Sequence, residues 1–458
     1  LNLYNLQNPQ KMTSKTSILI KSATIVNEGT LFVGDVLIKD GFIEQIGGEL
    51  NVRADEEIRA EGKYLLPGCI DDQVHFREPG LTHKANMYTE SRTAAAGGIT
   101  SYMEMPNTIP NTLTQQLLAA KYQIASQNSL TNYSFFMGAS NNNLDEVLKT
   151  DPQRVCGIKI FMGSSTGNML VDQADTLENI FRNAPTLIAT HCEDEATIKA
   201  NLEHFKSMYG DHLKPKMHPL IRNAAACYKS SSFAIQLAKK YDSRLHILHI
   251  SSAIETHLFD PSIPLVKKRI TSEACIHHLW FSDADYQTKG NWIKWNPAIK
   301  SAQDRDTIFQ AVLDNRIDVI ATDHAPHTIE EKSQSYAQAP SGGPLVQHAL
   351  IAMLDFYHQG KISLEKIVEK MAHNPAICFK INKRGFIREG YWADLILVDL
   401  HKPQRVTRKN ILSKCGWSPF EGHSFKSSVT HTFVSGNLVW EDGAFYDSIV
   451  GQRLQFDR

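Results

Sequence analysis

The sequence lacks the features that mark secreted, membrane-spanning or nucleic-acid-binding chains. Its seven cysteines are scattered, odd in number and free of any C-x-x-C pair, which indicates reduced thiols in the cytoplasm rather than a disulfide framework. No apolar run approaches the roughly 18 residues of a membrane helix, and the polar first residues lack a signal-peptide core. Because the formal net charge is only −1, we expect no broad attraction to nucleic acid or to a membrane.

Both ends of the chain have the sequence pattern of short antiparallel strands. Apolar runs alternate with turn signals at 27–29 and 39–41, and the same pattern occurs again at 390–400 and 430–446. Chain termini often lie close together, so the two segments can pair. The sequence therefore predicts one small β-sandwich built from residues 1–66 and 379–458.

The middle of the chain, residues 67–378, alternates short apolar runs with segments of helix length. Eight runs are strand candidates, spread over about 260 residues, which is the count and length of a (β/α)8 barrel; they cover residues 64–76, 98–106, 132–140, 155–163, 186–194, 244–252, 269–278 and 318–326. Buried parallel strands are apolar throughout, as these nearly are. The predicted fold is thus α/β, a TIM-type barrel carrying the small sandwich.

Polar residues interrupt these runs near their C-terminal ends. They are His75, Glu104, Lys159, His191, Glu193, His249, His277 and Asp323. A single strand-end histidine is usually a structural, hydrogen-bonded residue. Several ligand-type side chains on one rim of a closed barrel converge, however, and that rim carries the active site in this fold. Imidazole and carboxylate together suit zinc or a similar divalent ion.

Lys159 is the unexpected member of this group, because an ammonium beside a cation would be repelled. A lysine in an apolar strand tends to have a lowered pKa, so its neutral amine can react. Capture of carbon dioxide would convert it to a carbamate, an anion with two oxygens that can bridge two metals.

An ordered set of motifs resembles the dihydroorotases of the amidohydrolase superfamily over nearly the whole chain. The motifs include "PGCIDDQVHFREPG" (67–80), "AAAGGITSYMEMPNT" (94–108), "GIKIFMGSSTGN" (157–168), "SEACIHHLWFSD" (272–283) and "ATDHAPHTIEEK" (321–332). The resemblance implies a hydrolase that interconverts dihydroorotate and N-carbamoyl-L-aspartate in pyrimidine synthesis.

The resemblance also implies a metal centre of one or two zinc ions per chain. His75 would bind the first metal, and His191 and His249 the second, with carboxylated Lys159 as the bridge. Asp323 would bind the first metal, act as general base and then return the proton to the leaving ring nitrogen, as reversibility requires.

For the substrate, the resemblance implies a carboxylate grip. Arg77 can hold a carboxylate bidentately, Asn107 and His327 would complete the grip, and Asn296 would hold the ring amide. For Arg77 and His327 an ordinary salt bridge or solvated loop is the competing interpretation. The polar segment 328–344 could be a lid or a solvated loop.

One position departs from the family pattern, which calls for histidine at residue 73, where this chain has Gln73. A neutral amide oxygen is a poor zinc ligand. The first metal could bind weakly, the site could hold only the second metal, or the protein could be an inactive relative. The retained Asp323, Lys159 and histidines favour an active enzyme.

Two other interpretations stay open. An allantoinase or hydantoinase would use the same metals on a ring without the dihydroorotate carboxylate, and so would have no use for Arg77, Asn107 and His327 together. A catalytically silent barrel could instead support a partner enzyme such as a transcarbamoylase. The resemblance suggests a homodimer acting on a small-molecule substrate.

Overall fold

The computed structural model describes residues 17–163, 168–446 and 449–458; the polar first residues and part of the "GIKIFMGSSTGN" motif lie outside this range. In chain order the strands are β1 Ser17–Asn27, β2 Thr30–Lys39, β3 Phe42–Gly47, β4 Glu56–Arg59, β5 Tyr64–Pro67, β6 Cys69–Val74, β7 Ile99–Glu104, β8 Asn132–Phe135, β9 Met137–Gly138, β10 Ile158–Phe161, β11 Ile188–His191, β12 Leu245–Ile247, β13 Ile270–Cys275, β14 Val319–Ala321, β15 Leu395–Asp399, β16 Gln404–Arg405, β17 Ser424–Phe425, β18 Ser428–Val434, β19 Asn437–Glu441 and β20 Ala444–Phe445. The α-helices are α1 Met87–Ala96, α2 Gln115–Asn128, α3 Leu144–Leu148, α4 Ala174–Asn183, α5 Glu195–Tyr209, α6 His218–Ile221, α7 Ala224–Tyr241, α8 Ile276–Trp280, α9 Tyr286–Lys289, α10 Ala302–Leu313, α11 Ile329–Lys332, α12 Ala349–His358, α13 Leu364–Val368 and α14 Asn374–Phe379.

Strands β6 to β14 form the predicted parallel barrel. The third predicted strand is divided at Phe136 into β8 and β9. The Phe136 N–H donates to the carbonyl of Glu104, and the Met137 N–H donates to the carbonyl of Gly157. The ring closes where the His75 N–H donates to the carbonyl of His324 at 2.7 Å. All eight predicted strands are present, and strands such as β7, β10 and β11 are buried along their whole length, because helices cover a parallel sheet.

The two ends of the chain meet in one mixed sheet of nine strands. Its order is β20-β19-β18-β15-β5-β1-β2-β3, with β4 beside β1. The junction is the antiparallel pair β5–β15, in which Leu65 faces Leu397, and apolar side chains such as Ile20, Ile25 and Phe433 form its core. The predicted sandwich from both chain ends is confirmed. Division into segments 1–66, 67–378 and 379–458 remains our proposal for the domain limits.

The predicted turns are set by local backbone chemistry. Glu28-Gly29, Asp40-Gly41, Ser435-Gly436 and Asp442-Gly443 each have two successive residues with positive φ. Such pairs match the right-handed twist of a two-residue hairpin, and glycine at the second position adopts them without steric cost. The short-range signals therefore predicted these hairpins directly.

The seven cysteines are all buried and unpaired, as the scattered spacing predicted. Among the described residues, no helix combines the length and apolarity needed to cross a membrane.

Candidate active site

One cavity of about 280 Å³ opens at the C-terminal ends of the barrel strands. The structure brings all nine residues singled out from the sequence into its lining: His75, Arg77, Asn107, Lys159, His191, His249, Asn296, Asp323 and His327. Gln73 lines it too, together with Trp295 and residues 340–342. Residues that are up to about 250 positions apart in sequence thus share one wall, because every strand of a closed barrel ends at the same rim.

His191 and His249 form one pair of facing imidazoles. His191 Nε2 lies 2.9 Å from Glu193 Oε2. Because a carboxylate only accepts, Nε2 is the donor, and the lone pair of Nδ1 faces His249 Nε2 at 2.9 Å. Burial lowers the pKa of both imidazoles. Glu193 is itself held by Arg222, and His249 Nδ1 has no hydrogen-bond partner among the described residues. Two neutral ring nitrogens converging on one point suit a bound cation.

His75 and Asp323 form a second converging pair. His75 Nδ1 is 2.8 Å from Asn107 Oδ1, an acceptor, so the Nε2 lone pair faces Asp323 Oδ1 at 3.1 Å. A lone pair and a carboxylate oxygen at that distance repel unless a proton or a cation lies between them. Burial raises the pKa of Asp323 to about 7, and the carboxylate also accepts a hydrogen bond from Gln73 Nε2 at 3.3 Å.

Lys159 lies deep in the same cavity, 1 % exposed. Its Nζ is 4.5 Å from the centre of the Phe161 ring. Burial lowers the pKa of Lys159 to about 7, against the attraction of Glu273 and Asp323. A sizeable fraction of neutral amine at neutral pH follows, which is the form that can react with carbon dioxide.

Arg77 and His327 form the cationic and donor-rich side of the cavity. Arg77 Nε donates to the carbonyl of Pro326 at 3.0 Å, and its NH2 group lies 3.0 Å from His327 Nε2. Lys84 Nζ lies 3.1 Å from the other ring nitrogen of His327. Burial lowers the pKa of Arg77 to about 10, so the guanidinium stays charged at neutral pH. Asn296 Oδ1 accepts from the Ser341 hydroxyl at 3.0 Å.

Three of these residues hold unusual backbone conformations. Arg77, His249 and Asp323 have φ of 70°, 40° and 48°. Residues other than glycine avoid this left-handed region at a cost of about 1–3 kcal/mol, and such strain clusters at functional sites. The backbone thus directs a guanidinium, an imidazole and a carboxylate into the cavity.

Three other rim residues have structural partners. Glu104 forms a buried ion pair with Lys121 at 2.7 Å, Glu193 orients His191 as described, and the His277 ring stacks on Trp295 at 4.6 Å. None of the three is part of the cavity lining. These three residues lie outside the cavity and support the residues around it.

Sequence reasoning missed one residue of the cavity lining and one buried group outside the cavity. Trp295, Ser341 and Gly342 also line the cavity; no motif marked Trp295, whereas Ser341 and Gly342 belong to the segment 328–344 that the sequence indicated as a lid or a solvated loop. A separate buried group, Asp72, His246 and Glu273, has ligand atoms within 4.8 Å of one another. Asp72 directly precedes Gln73 and His246 lies three residues before His249, but no spacing along one strand joins these two residues to Glu273.

Comparisons with known proteins agree with this architecture. Among solved structures, L-hydantoinase (dihydropyrimidinase) from Arthrobacter aurescens superposes with a TM-score of 0.91 at 26 % identity, covering 96 % of this chain and 99 % of that one. A dihydropyrimidinase from Brevibacillus agri gives 0.86 at 22 % identity, covering 96 % and 100 %, which supports the fold alone.

Curated relatives of similar sequence are named dihydroorotase. The protein from Halobacterium salinarum is 32 % identical over 434 residues, 92 % of this chain and 97 % of its own length. The protein from Methanosphaera stadtmanae is 30 % identical over 417 residues, 90 % and 94 % of the two chains. The model of the amidohydrolase family matches residues 64–439. The barrel, the rim cavity and these matches together show that the chain belongs to the amidohydrolase family.

Proposed function

We propose that this protein is a cytoplasmic, zinc-dependent dihydroorotase that interconverts dihydroorotate and N-carbamoyl-L-aspartate in pyrimidine synthesis. The observation that carries the proposal is the joint presence, in one cavity, of Arg77, Asn107 and His327 with the two converging ligand pairs. Relatives named dihydroorotase span nearly the whole chain, which supports the same activity.

The described side chains fit zinc at two places. His191 and His249 would hold one ion, His75 and Asp323 the other, and carboxylated Lys159 would bridge them. Gln73 would add at most a weak amide oxygen to the His75 side. When bound, zinc would polarise the ring carbonyl and lower the pKa of water to about 7.

Asp323 is the proposed proton carrier. Its carboxylate lies at the rim, and burial raises its pKa to about 7 in the metal-free site; a bound cation would lower that pKa and so favour the carboxylate form that accepts a proton. In hydrolysis it accepts a proton from water as oxygen joins the ring carbonyl carbon, and it returns that proton to the ring nitrogen as the carbon–nitrogen bond breaks. Ring closure uses the same steps in reverse.

Arg77, Asn107 and His327 are the proposed carboxylate grip, with Asn296 on the ring amide. Arg77 is 7 % exposed, so a substrate carboxylate beside it would be largely screened from water. A charge-assisted, bidentate contact there is stronger than a neutral hydrogen bond and orients the ring.

The test compares substrates and one substitution. We expect turnover of dihydroorotate to exceed that of hydantoin and allantoin. Arg77→Lys keeps the charge but loses the planar fork, so kcat/KM should fall by roughly 30- to 150-fold, or about 2–3 kcal/mol. Arg305→Lys, at a partly exposed surface position, is the matched control. Full activity of Arg77→Lys, or faster turnover of allantoin, would exclude this function.

Two alternatives remain and the same assay separates them. Likeness to an L-hydantoinase structure favours a hydantoinase as second candidate, which would hydrolyse hydantoin fastest and be insensitive to Arg77→Lys. A silent scaffold for a transcarbamoylase would turn over none of the three rings while still binding its partner.

The homodimer suggested by resemblance is testable by light scattering.

A further inference from the structure

A second group of ionisable side chains lies inside the barrel, apart from the cavity lining. Asp72 comes from β6, His246 from β12 and Glu273 from β13, and all three are fully buried. Because β6 and β12 are not neighbours in the barrel, their contact crosses its interior. His246 Nε2 lies 3.0 Å from Asp72 Oδ2 and 3.4 Å from Glu273 Oε2.

The hydrogen bonds around His246 fix which nitrogen faces the carboxylates. His246 Nδ1 lies 2.8 Å from Thr271 Oγ1, and that hydroxyl gives its own proton to the carbonyl of Leu245 at 3.4 Å. If the imidazole is neutral, Nδ1 therefore carries its hydrogen, and the Nε2 lone pair faces Asp72 and Glu273. This is the arrangement of a metal-binding histidine whose other nitrogen is held by a second partner.

The charge of the group needs compensation. If both were ionised beside a neutral imidazole, Asp72 and Glu273 would carry two negative charges at fully buried positions, which is strongly unfavourable unless neutralised. Both oxygens of Asp72, Glu273 Oε2 and His246 Nε2 make no hydrogen bond outside the group among the described residues. One ligand atom from each of the three residues therefore lies within 4.8 Å of the other two.

We propose that Asp72, His246 and Glu273 bind one divalent cation of the zinc class. Tetrahedral zinc with bonds of about 2.0–2.1 Å holds its ligand atoms about 3.3–3.4 Å apart; the observed 3.4 Å equals that spacing and the observed 3.0 Å is slightly shorter. One divalent ion neutralises both carboxylates, and an imidazole with two carboxylates is a set that zinc accepts.

The competing arrangement uses protons. Although burial acts in the opposite direction, the carboxylates of Asp72 and Glu273 raise the pKa of His246 to about 9, and burial raises the pKa of Glu273. Two protons, one on each residue, would leave the group neutral without a cation. The experiment therefore has to distinguish a metal from a pair of protons.

This site shares no ligand with the proposed active site but contacts it. Glu273 Oε1 accepts the backbone N–H of His249 at 3.0 Å, where φ is positive. A cation on Glu273 Oε2 would hold that carboxylate in place below His249. The inference does not depend on dihydroorotase activity, and its test reads metal content alone.

The experiment measures zinc per chain after dialysis against a zinc-buffered solution. To reduce binding at the rim, each variant is made in a Lys159→Ala background. Asp72→Asn removes one charge and should bind one zinc fewer per chain than its parent. Asp71→Asn, the same change one residue earlier in β6, should bind as much as the parent. Equal zinc in the parent and Asp72→Asn would overturn the proposal.

A second measurement covers the case in which Asp72→Asn does not fold. Crystals of the unaltered protein grown with zinc should show an anomalous peak at the zinc edge between Asp72, His246 and Glu273. An intact triad with no anomalous peak, while zinc is present in the crystals, would assign the group to protons and overturn the proposal.

Discussion

At the scale of single residues, Gln73 decides how the two ligand pairs differ. Its amide nitrogen points to Asp323 Oδ1, and its oxygen lies 3.6 Å from the Cys275 thiol. The amide therefore donates to a proposed ligand and does not itself offer a lone pair to the His75 side. His191 and His249 have no such substitution beside them, so we expect unequal affinities for the two ions.

Gln73→His should strengthen the weaker site. Imidazole is a better zinc ligand than an amide oxygen, so zinc affinity at the His75–Asp323 pair should rise by about tenfold or more, ~1.4 kcal/mol. A zinc titration of the metal-free protein, with activity read at each step, measures both sites. Gln45→His, on the exposed side of β3, is the matched control. Two ions bound with equal affinity at the two rim pairs of the parent would contradict the prediction.

Lys159→Ala should lose zinc and activity together. A short carboxylic acid such as formate or acetate, added to the medium, should restore part of both, because it supplies the two oxygens of the carbamate. A short amine at the same concentration is the control, since it replaces the ammonium and not the carbamate. Rescue by the amine alone would show that Lys159 acts as an unmodified lysine.

At the scale of elements, two buried lysines fix the segment after His327. Lys332 Nζ donates to the carbonyls of Lys294, Pro340 and Gly342 at 2.8–3.3 Å. Lys294 Nζ donates to the carbonyls of Tyr336 and Ala339. The segment predicted as a lid or a solvated loop is thus tied to the barrel in this conformation, and its end forms part of the cavity wall.

Lys332→Met should loosen this segment. Three carbonyls lose their donor, and leaving buried acceptors unpaired costs about 1–3 kcal/mol each. Hydrogen exchange across 334–342 should become faster, and KM should rise more than kcat falls, because Ser341 and Gly342 line the cavity. Lys361→Met, at an exposed position, is the control. Unchanged exchange would mean that other contacts hold the segment.

At the scale of the whole molecule, the C-terminal segment supports the barrel rim. Trp417 Nε1 donates to the carbonyl of His327 at 2.7 Å, and the Ser413 hydroxyl donates to Glu90 at 2.7 Å. His348 lies between α12 and this segment, with Ser418 Oγ 3.3 Å from Nδ1. The β-rich end of the chain therefore closes the sheet and also braces the loop that carries His327.

Acid should weaken this junction through His348. Burial lowers the pKa of His348 from 6.5 to about 3, so the folded state prefers the neutral ring. The stabilisation that the neutral His348 ring gives to the folded state is complete above pH 6.5 and is lost as pH falls towards 3. Near pH 5 the loss is about 2 kcal/mol. In urea unfolding, His348→Leu should show a smaller drop in stability from neutral pH to pH ~5 than the parent.

An exposed histidine provides the control for this measurement. His401→Leu changes a solvent-exposed ring and should leave the acid dependence as it is in the parent. An equal drop in the His348→Leu protein and the parent would show that His348 does not titrate with folding.

The sequence by itself determined the features that depend on neighbouring residues. The hairpins follow from residue pairs such as Asp40-Gly41, in which both residues adopt a positive φ. The eight barrel strands follow from the apolar runs. It also indicated the rim residues, because the ends of parallel strands in a barrel converge whatever their separation along the chain.

Only the tertiary structure decided which rim residues share the cavity and which ones support it. Glu104 and His277 have the same strand-end signal as Lys159 and His249, yet an ion pair with Lys121 and stacking on Trp295 place them behind the wall. The buried Asp72 group depends on contacts across the barrel, which no spacing along one strand reveals. Side-chain direction at a rim is set by partners on other strands, and those partners exist only once the barrel has closed.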